Sequence, residues 1–386
     1  MSSLTSTRTG VAVVFALNGM LFATFVSRLP DVRASLGLDN GQLGLLLLTA
    51  SIGSVTGMPL AGRLVERFGG RQVVRAGAAL CAVALLGAAL GATVVAWVPL
   101  TAVGLFGYGM GVSVWDVAMN VEAAEVERRM GRTLMPRFHA GWSLGSICGS
   151  ALGVPMSAAE VPMALHVAVV AVVTLVAVRR YSAAFLPIEP TPRLPRSERP
   201  ASAWTEPRTL LIGAMVLSFA AVEGCANDWL SLGLIDGYGT PHWVGVSGFW
   251  LFTVCMFTGR LTGSLALDRW GRAPVLWVSA AGAAAGIVLT VYAGALGLAA
   301  IGIVVWGLAA SLGFPVGMSA AADDPARAAA RVSVVATIGY TAFLLFPPLL
   351  GALGDHVGTL RSLLVIAVLM LPAAVTVFAT RPRSVG

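Results

Sequence analysis

Residues 76–115 read AGAAL CAVALLGAAL GATVVAWVPL TAVGLFGYGM GVSVW, forty positions without one Asp, Glu, Arg or Lys. A helix needs ~20 mostly apolar residues to cross a bilayer, and the break at Trp97-Val98-Pro99 divides this stretch into two crossings. Asp, Glu and Arg are likewise missing from 11–27, 41–62, 140–159, 161–178, 237–259, 273–322, 332–354 and 362–380. The run 273–322 divides again near Tyr292 to Leu296. Twelve spans follow: 11–29, 42–62, 73–94, 97–118, 139–157 and 161–178, then 209–229, 243–265, 273–292, 296–318, 332–353 and 361–379.

Composition agrees. Hydrophobic residues make up 57% and charged residues 11% of the 386 positions, and mean hydropathy is +0.84. A soluble chain carries ~25% charged residues, so most of this surface must face lipid. The net charge of +7 would suggest nucleic acid binding in a soluble protein. Here the cations fall in short loops between spans, so no nucleic acid partner is expected. The four cysteines, Cys81, Cys148, Cys225 and Cys255, all lie inside spans without metal-ligand spacing, and read as small packing residues. No metal and no cofactor is expected.

Charge placement orients the chain. With both termini in the cytoplasm, 22 of the 25 Arg lie on that side and only Arg28, Arg33 and Arg361 lie outside, as expected where basic loops resist translocation. The stretch 179–208, rich in Pro and Arg, cannot cross lipid and reads as a cytoplasmic linker between 1–178 and 209–386. The two halves look like copies. Asn18-Gly19 parallels Glu223-Gly224, Arg67-Phe68-Gly69 parallels Arg269-Trp270-Gly271, Gly107 parallels Gly307, and Gly141-Trp142 parallels Gly339-Tyr340. The expected fold is an all-α membrane protein of twelve transmembrane helices in two six-helix pseudo-symmetric bundles, an architecture of secondary transporters.

The segment Gly62-Arg-Leu-Val-Glu-Arg-Phe-Gly-Gly-Arg71 resembles the loop signature of the major facilitator superfamily, with Glu66 in place of the usual Asp. A weaker echo ends in Asp268-Arg269-Trp270-Gly271-Arg272. Ser27 to Asp31, Asp116 to Asn120 and Arg137 to Ala140 narrow the likeness to a branch of bacterial inner-membrane facilitators, with a more distant likeness to fucose-permease-type proton symporters. The resemblance implies a monomeric, multi-pass protein of the cytoplasmic membrane that moves a small organic solute by alternating access, coupled to protons. Export of a drug or metabolite by proton antiport is the alternative. Span 5, with Gly141, Gly145, Gly149 and Gly153, lacks the Gly-Pro element of drug antiporters. From other classes, a non-transporting sensor and a membrane-embedded transferase remain. No metal-spacing His and Asp set supports an enzyme, and no phosphate loop supports ATP drive.

Polar residues inside the spans are the candidate site, because lipid does not tolerate them. Glu223 comes first, as a proton carrier or ligand, with Asn227 one turn on. Asn18 is its repeat-related counterpart, and Tyr108, Trp142 and Tyr340 are candidate cavity walls. At the cytoplasmic mouth, Gly62 and Gly69 are expected to allow close approach and a tight turn. Glu66, Arg67, Arg71, Asp268 and Arg269 are expected to form ion-pair latches. Asp116 and Asn120 share a helix face opposite Arg137 and His139, so Asp116 is expected to pair with one of those two cations. Arg260 needs a carboxylate or an anionic substrate, with Asp323 or Asp324 the expected partner.

Overall fold

The computed structural model describes residues 2–131, 134–186, 203–324 and 327–381. Most of the Pro-rich linker, 187–202, lies outside the described residues. Among the described residues sixteen α-helices follow one another: α1 (Ser2–Val26), α2 (Leu29–Leu36), α3 (Asn40–Phe68), α4 (Gly70–Thr93), α5 (Val98–Met130), α6 (Met135–Ala158), α7 (Met163–Tyr181), α8 (Pro207–Tyr238), α9 (His242–Trp270), α10 (Arg272–Tyr292), α11 (Leu296–Ala310), α12 (Gly313–Ala321), α13 (Ala328–Val357), α14 (Thr359–Ser362), α15 (Leu364–Val368) and α16 (Met370–Thr376). No strand occurs among the described residues. Among the described residues eleven helical segments are long and apolar enough to cross a membrane. A twelfth, α6, matches them in length at 24 residues, with serines and glycines diluting its hydropathy.

Several helices outrun the apolar spans. α5 was expected to stop at 118 and continues to Met130, where Gly131 closes it with φ +58°. Charge ends the lipid-facing stretch but not the helix, because Glu and Arg are good helix formers. Glu125 pairs along the helix with Arg128 at 2.6 Å and Arg129 at 2.5 Å. Two spans are interrupted instead. α11 gives way to α12 at Ser311–Leu312, and α15 to α16 at Leu369. These two breaks lie three or four residues before a proline, Pro315 and Pro372, whose missing N–H leaves a carbonyl of the preceding turn unpaired, whereas the further break at Leu363, between α14 and α15, has no proline at that distance after it. At the first break the Ser311 hydroxyl donates to the Leu308 carbonyl at 2.7 Å.

The chain divides into two compact units, one comprising 1–191 with 241–250 and the other 192–240 with 251–386. In the first, α1 packs on α6 and α7, α5 packs on α3 and α4, and α4 packs on α7. In the second, α8 is the central helix, touching α12, α13, α14 and α16, while α10 packs on α11. Trp115, Trp229 and Trp306 are fully buried, whereas Val83, Val176, Leu265 and Val278 are exposed. Large apolar side chains therefore face outward as well as inward, as helices immersed in lipid require.

Candidate functional site

In the second unit, α8 carries Glu223 through a segment that is buried on nearly every side. Both Glu223 oxygens accept from Nη2 of Arg260 on α9, at 2.9 and 3.0 Å. Either charge alone would be costly within a membrane span, and pairing offsets that cost. The carboxylate that Arg260 requires is thus Glu223, not Asp323 or Asp324, which serve other arginines. Asn227, one turn on from Glu223, is half-buried. The Phe343 ring covers Gly224, where a Cβ would meet ring atoms at 2.8 Å. Tyr340 lies between Phe314 and Phe343, with ring centroids 5.8 and 6.3 Å away. An aromatic surface therefore adjoins the helix turn that bears the ion pair.

In the first unit, Asn18 on α1 is buried, and its Oδ1 accepts from the Trp142 indole N–H at 2.9 Å. Trp142 also tilts against Phe22, 5.6 Å between centroids, and Tyr108 against Phe25, 6.0 Å. Residues 18, 22 and 25 lie on one face of α1, so this face meets Trp142 on α6 and Tyr108 on α5. Among the described residues the Asn18 Nδ2 and the Tyr108 hydroxyl, both buried, have no hydrogen-bond partner. Each retains hydrogen-bonding capacity that the protein does not use.

The signature segment folds in part as expected. Gly69 separates α3 from α4 with φ +79° and ψ 153°, and its counterpart Gly271 precedes α10 with φ +77° and ψ 172°. That region is open essentially to glycine alone. Arg67 lies over the Phe68 ring at 5.2 Å and Arg269 over Trp270 at 5.5 Å, so the repeat extends to this cation–π contact. Glu66 and Asp268 are exposed. Gly62 has nothing within 4 Å of where a Cβ would stand, so the close approach expected there does not occur. Arg71 takes part in no loop ion pair among the described residues. Its Nη2 donates to the Phe185 carbonyl at 3.0 Å, beyond the end of α7.

The expected pairing of Asp116 is also corrected. Asn120 Nδ2 donates to the Asp116 carbonyl at 2.9 Å along the same helix. Among the described residues Asp116 forms no ion pair with Arg137, which is exposed. His139 stands edge-on to Phe15, 5.3 Å between centroids. Arg137 and His139 begin α6, and that helix start is held by a different carboxylate. Glu127 accepts from the Leu134 and Met135 amides at 2.5 and 2.7 Å.

Further buried or paired charges lie outside the pairs expected from the sequence. Glu122 is fully buried and accepts from the Leu186 amide at 2.6 Å. Asp323 accepts from Arg272 at 2.7 Å and Arg208 at 2.8 Å. Glu206 accepts from Arg331 at 2.6 Å and forms an ion pair with Arg327 at 2.5 Å. Burial would raise the Asp323 and Glu206 carboxyls. The hydrogen bonds and charges of these arginines outweigh it and hold both below their ordinary values. Extending the internal repeat would have found one set: Thr7 and Arg208, Arg71 and Arg272, and Glu122 and Asp323 are each separated by about 200 residues.

Two related helical units, each with polar side chains in its membrane spans, define a multi-pass membrane protein of the transporter type. Residues 11–341 match the model of the Major Facilitator Superfamily, and the chain belongs to that superfamily. It is 33% identical over 349 residues to an uncharacterized transporter from Sinorhizobium fredii, covering 90% of each chain. In structure it resembles a bacterial homolog of the human lysosomal transporter Spinster in an inward-facing, unoccupied conformation. The TM-score is 0.80 at 13% identity, over 98% of this chain and 97% of that one. It also resembles a D-xylose-proton symporter, with TM-score 0.74 and 18% identity over 98% of both chains. The chain is a transporter and not an enzyme.

Proposed function

We propose that this transporter is a secondary active carrier of a small organic solute across the cytoplasmic membrane, coupled to protons. The six-helix bundles 1–178 and 209–386, joined by the cytoplasmic linker 179–208, rock about a central site, with both termini in the cytoplasm. Glu223, Asn227, Asn18, Tyr108, Trp142 and Tyr340 contact the solute or the proton. Glu66, Arg67, Gly69, Asp116, Asn120, Arg137, His139, Asp268 and Arg269 shape the cytoplasmic gate.

The observation that carries this reading is the Glu223–Arg260 pair. A proton delivered to Glu223 removes its charge and loosens its hold on the Arg260 Nη2, which then donates to a solute. Loss of the proton restores the pair and competes the solute away. In the first unit, the Asn18 Nδ2 and the Tyr108 hydroxyl, without partners among the described residues, supply neutral donors. The likeness in fold to a D-xylose-proton symporter supports proton coupling.

The test begins with a thermal-shift screen of the purified protein against sugars, amino acids, organic acids and drugs. Proteoliposomes then measure flux of the best hit with and without a pH gradient. Glu223→Gln should retain counterflow and lose gradient-driven accumulation. Accumulation that survives the substitution would refute the proton role.

A further inference from the structure

Arg71 and Arg75 lie one turn apart at the start of α4, and Arg71 and Arg179, at the end of α7, are within Coulombic range of Arg75. Arg75 donates from Nε to the Ser182 hydroxyl at 2.8 Å and from Nη2 to the Arg179 carbonyl at 2.9 Å. These contacts, with that of Arg71 to Phe185, fix two guanidinium groups without neutralising them. Among the described residues none of Arg71, Arg75, Arg179 and Arg180 is held in an ion pair. Glu122, the carboxylate in Coulombic range of Arg71, turns one oxygen to the Leu186 amide, and its other oxygen is buried without a partner.

The internal repeat supplies a comparison within the molecule. At the related corner of the second unit, Arg272 begins α10, and it and Arg208 both close on Asp323. That corner carries its own anion. In the first unit the related carboxylate, Glu122, accepts from the Leu186 amide and makes no ion pair with Arg71 among the described residues, so the convergent positive charge is only partly offset and can take an external anion. The start of α4 adds its own partial positive charge, with no side chain capping it and no acid in its first turn.

The apolar surroundings indicate the source of that anion. Along α7, Leu165, Val169, Val172, Val173 and Val176 are all exposed, on one stripe that ends at Arg179 and Arg180. α4 packs beside α7 and exposes Val83. A molecule seated here meets a cationic site at the helix ends and an apolar track running back along the span. We infer that Arg71, Arg75 and Arg179 bind the phosphate of an anionic phospholipid whose acyl chains lie along the exposed face of α7.

The probe is phosphatidylglycerol, titrated into the full-length protein in neutral detergent while thermal unfolding is followed by tryptophan fluorescence. Phosphatidylcholine and inorganic phosphate serve as the other arms. Phosphatidylglycerol should raise the melting temperature of the wild type, and the other two should not. Arg71→Gln with Arg179→Gln removes two exposed cations, each worth about the same near an anionic headgroup, and should weaken the titration midpoint on the order of 30-fold. Arg361→Gln, an exposed cation elsewhere, should leave it unchanged. Should the double variant fail to fold, high salt on the wild type gives the same information, because screening must weaken a phosphate site. Equal stabilisation by phosphatidylcholine, a salt-insensitive midpoint or a double variant that titrates like wild type would overturn the assignment. Equal stabilisation by inorganic phosphate would overturn its lipid part.

Discussion

Replacing Glu223 by leucine takes the paired carboxylate from the Arg260 guanidinium, and replacing Arg260 by leucine strands the Glu223 carboxylate. The two side chains are 19% and 29% exposed, so water screens the pair only in part. Removing one member of a fully buried pair costs ~3–5 kcal/mol. Partial exposure, and the use of a single arginine nitrogen for both oxygens, bring the expected cost of each single variant to ~2–3 kcal/mol. The double variant should recover most of one of those losses, because no charge is then left alone. A double-mutant cycle of Glu223→Leu and Arg260→Leu, read by equilibrium unfolding in mixed micelles, should give a coupling energy of ~2 kcal/mol. Losses that add to within ~0.5 kcal/mol would show the two groups to be independent. The reasoning about Glu223 and Arg260 would then fail, whatever the flux assays report.

Stability should also fall in acid. The Asp323 and Glu206 carboxyls titrate below their ordinary values in the folded protein. Their stabilisation is therefore complete above the unfolded pKa of ~4 and is lost as pH drops through the lower folded values. Asp323→Asn should flatten the decline in melting temperature below about pH 4 relative to wild type. Gly69→Ala and Gly271→Ala force a side chain into a glycine-only conformation and should each cost ~1–3 kcal/mol, while Gly62→Ala should cost nothing; thermal melts of the three variants compare them directly. Gly145→Leu places a side chain where even a Cβ would stand 1.8 Å from the Ala16 carbonyl. It should abolish recovery of folded protein by size-exclusion chromatography.

The crossings were legible because uncharged stretches of this length have no stable alternative in water. Their ends were not, since α5 continues through Glu122, Glu125 and Glu127, where the hydrophobic signal stops and helix propensity does not. Glu223 announced itself as a carboxylate in apolar surroundings. Its partner did not, because Arg260 stands 37 residues away on another helix and reaches it only through packing. Arg71 was misread for a related reason. A loop motif suggests local ion pairs, whereas its side chain reaches back to the Phe185 carbonyl, 114 residues on.

The seam between α1 and α6 sets a mechanical condition on any movement in the first unit. Successive carbonyls of α1, from Ala12, Ala16 and Met20, stand where the Cβ atoms of Gly141, Gly145 and Gly149 would lie, at 3.2, 1.8 and 2.4 Å. Backbone meshes with backbone like a key in its wards. A displacement of one or two residues along the seam would drive Trp142, Ser143 or Leu144 into those carbonyls. The two helices must therefore travel together as one strut, and flexing has to fall on other seams.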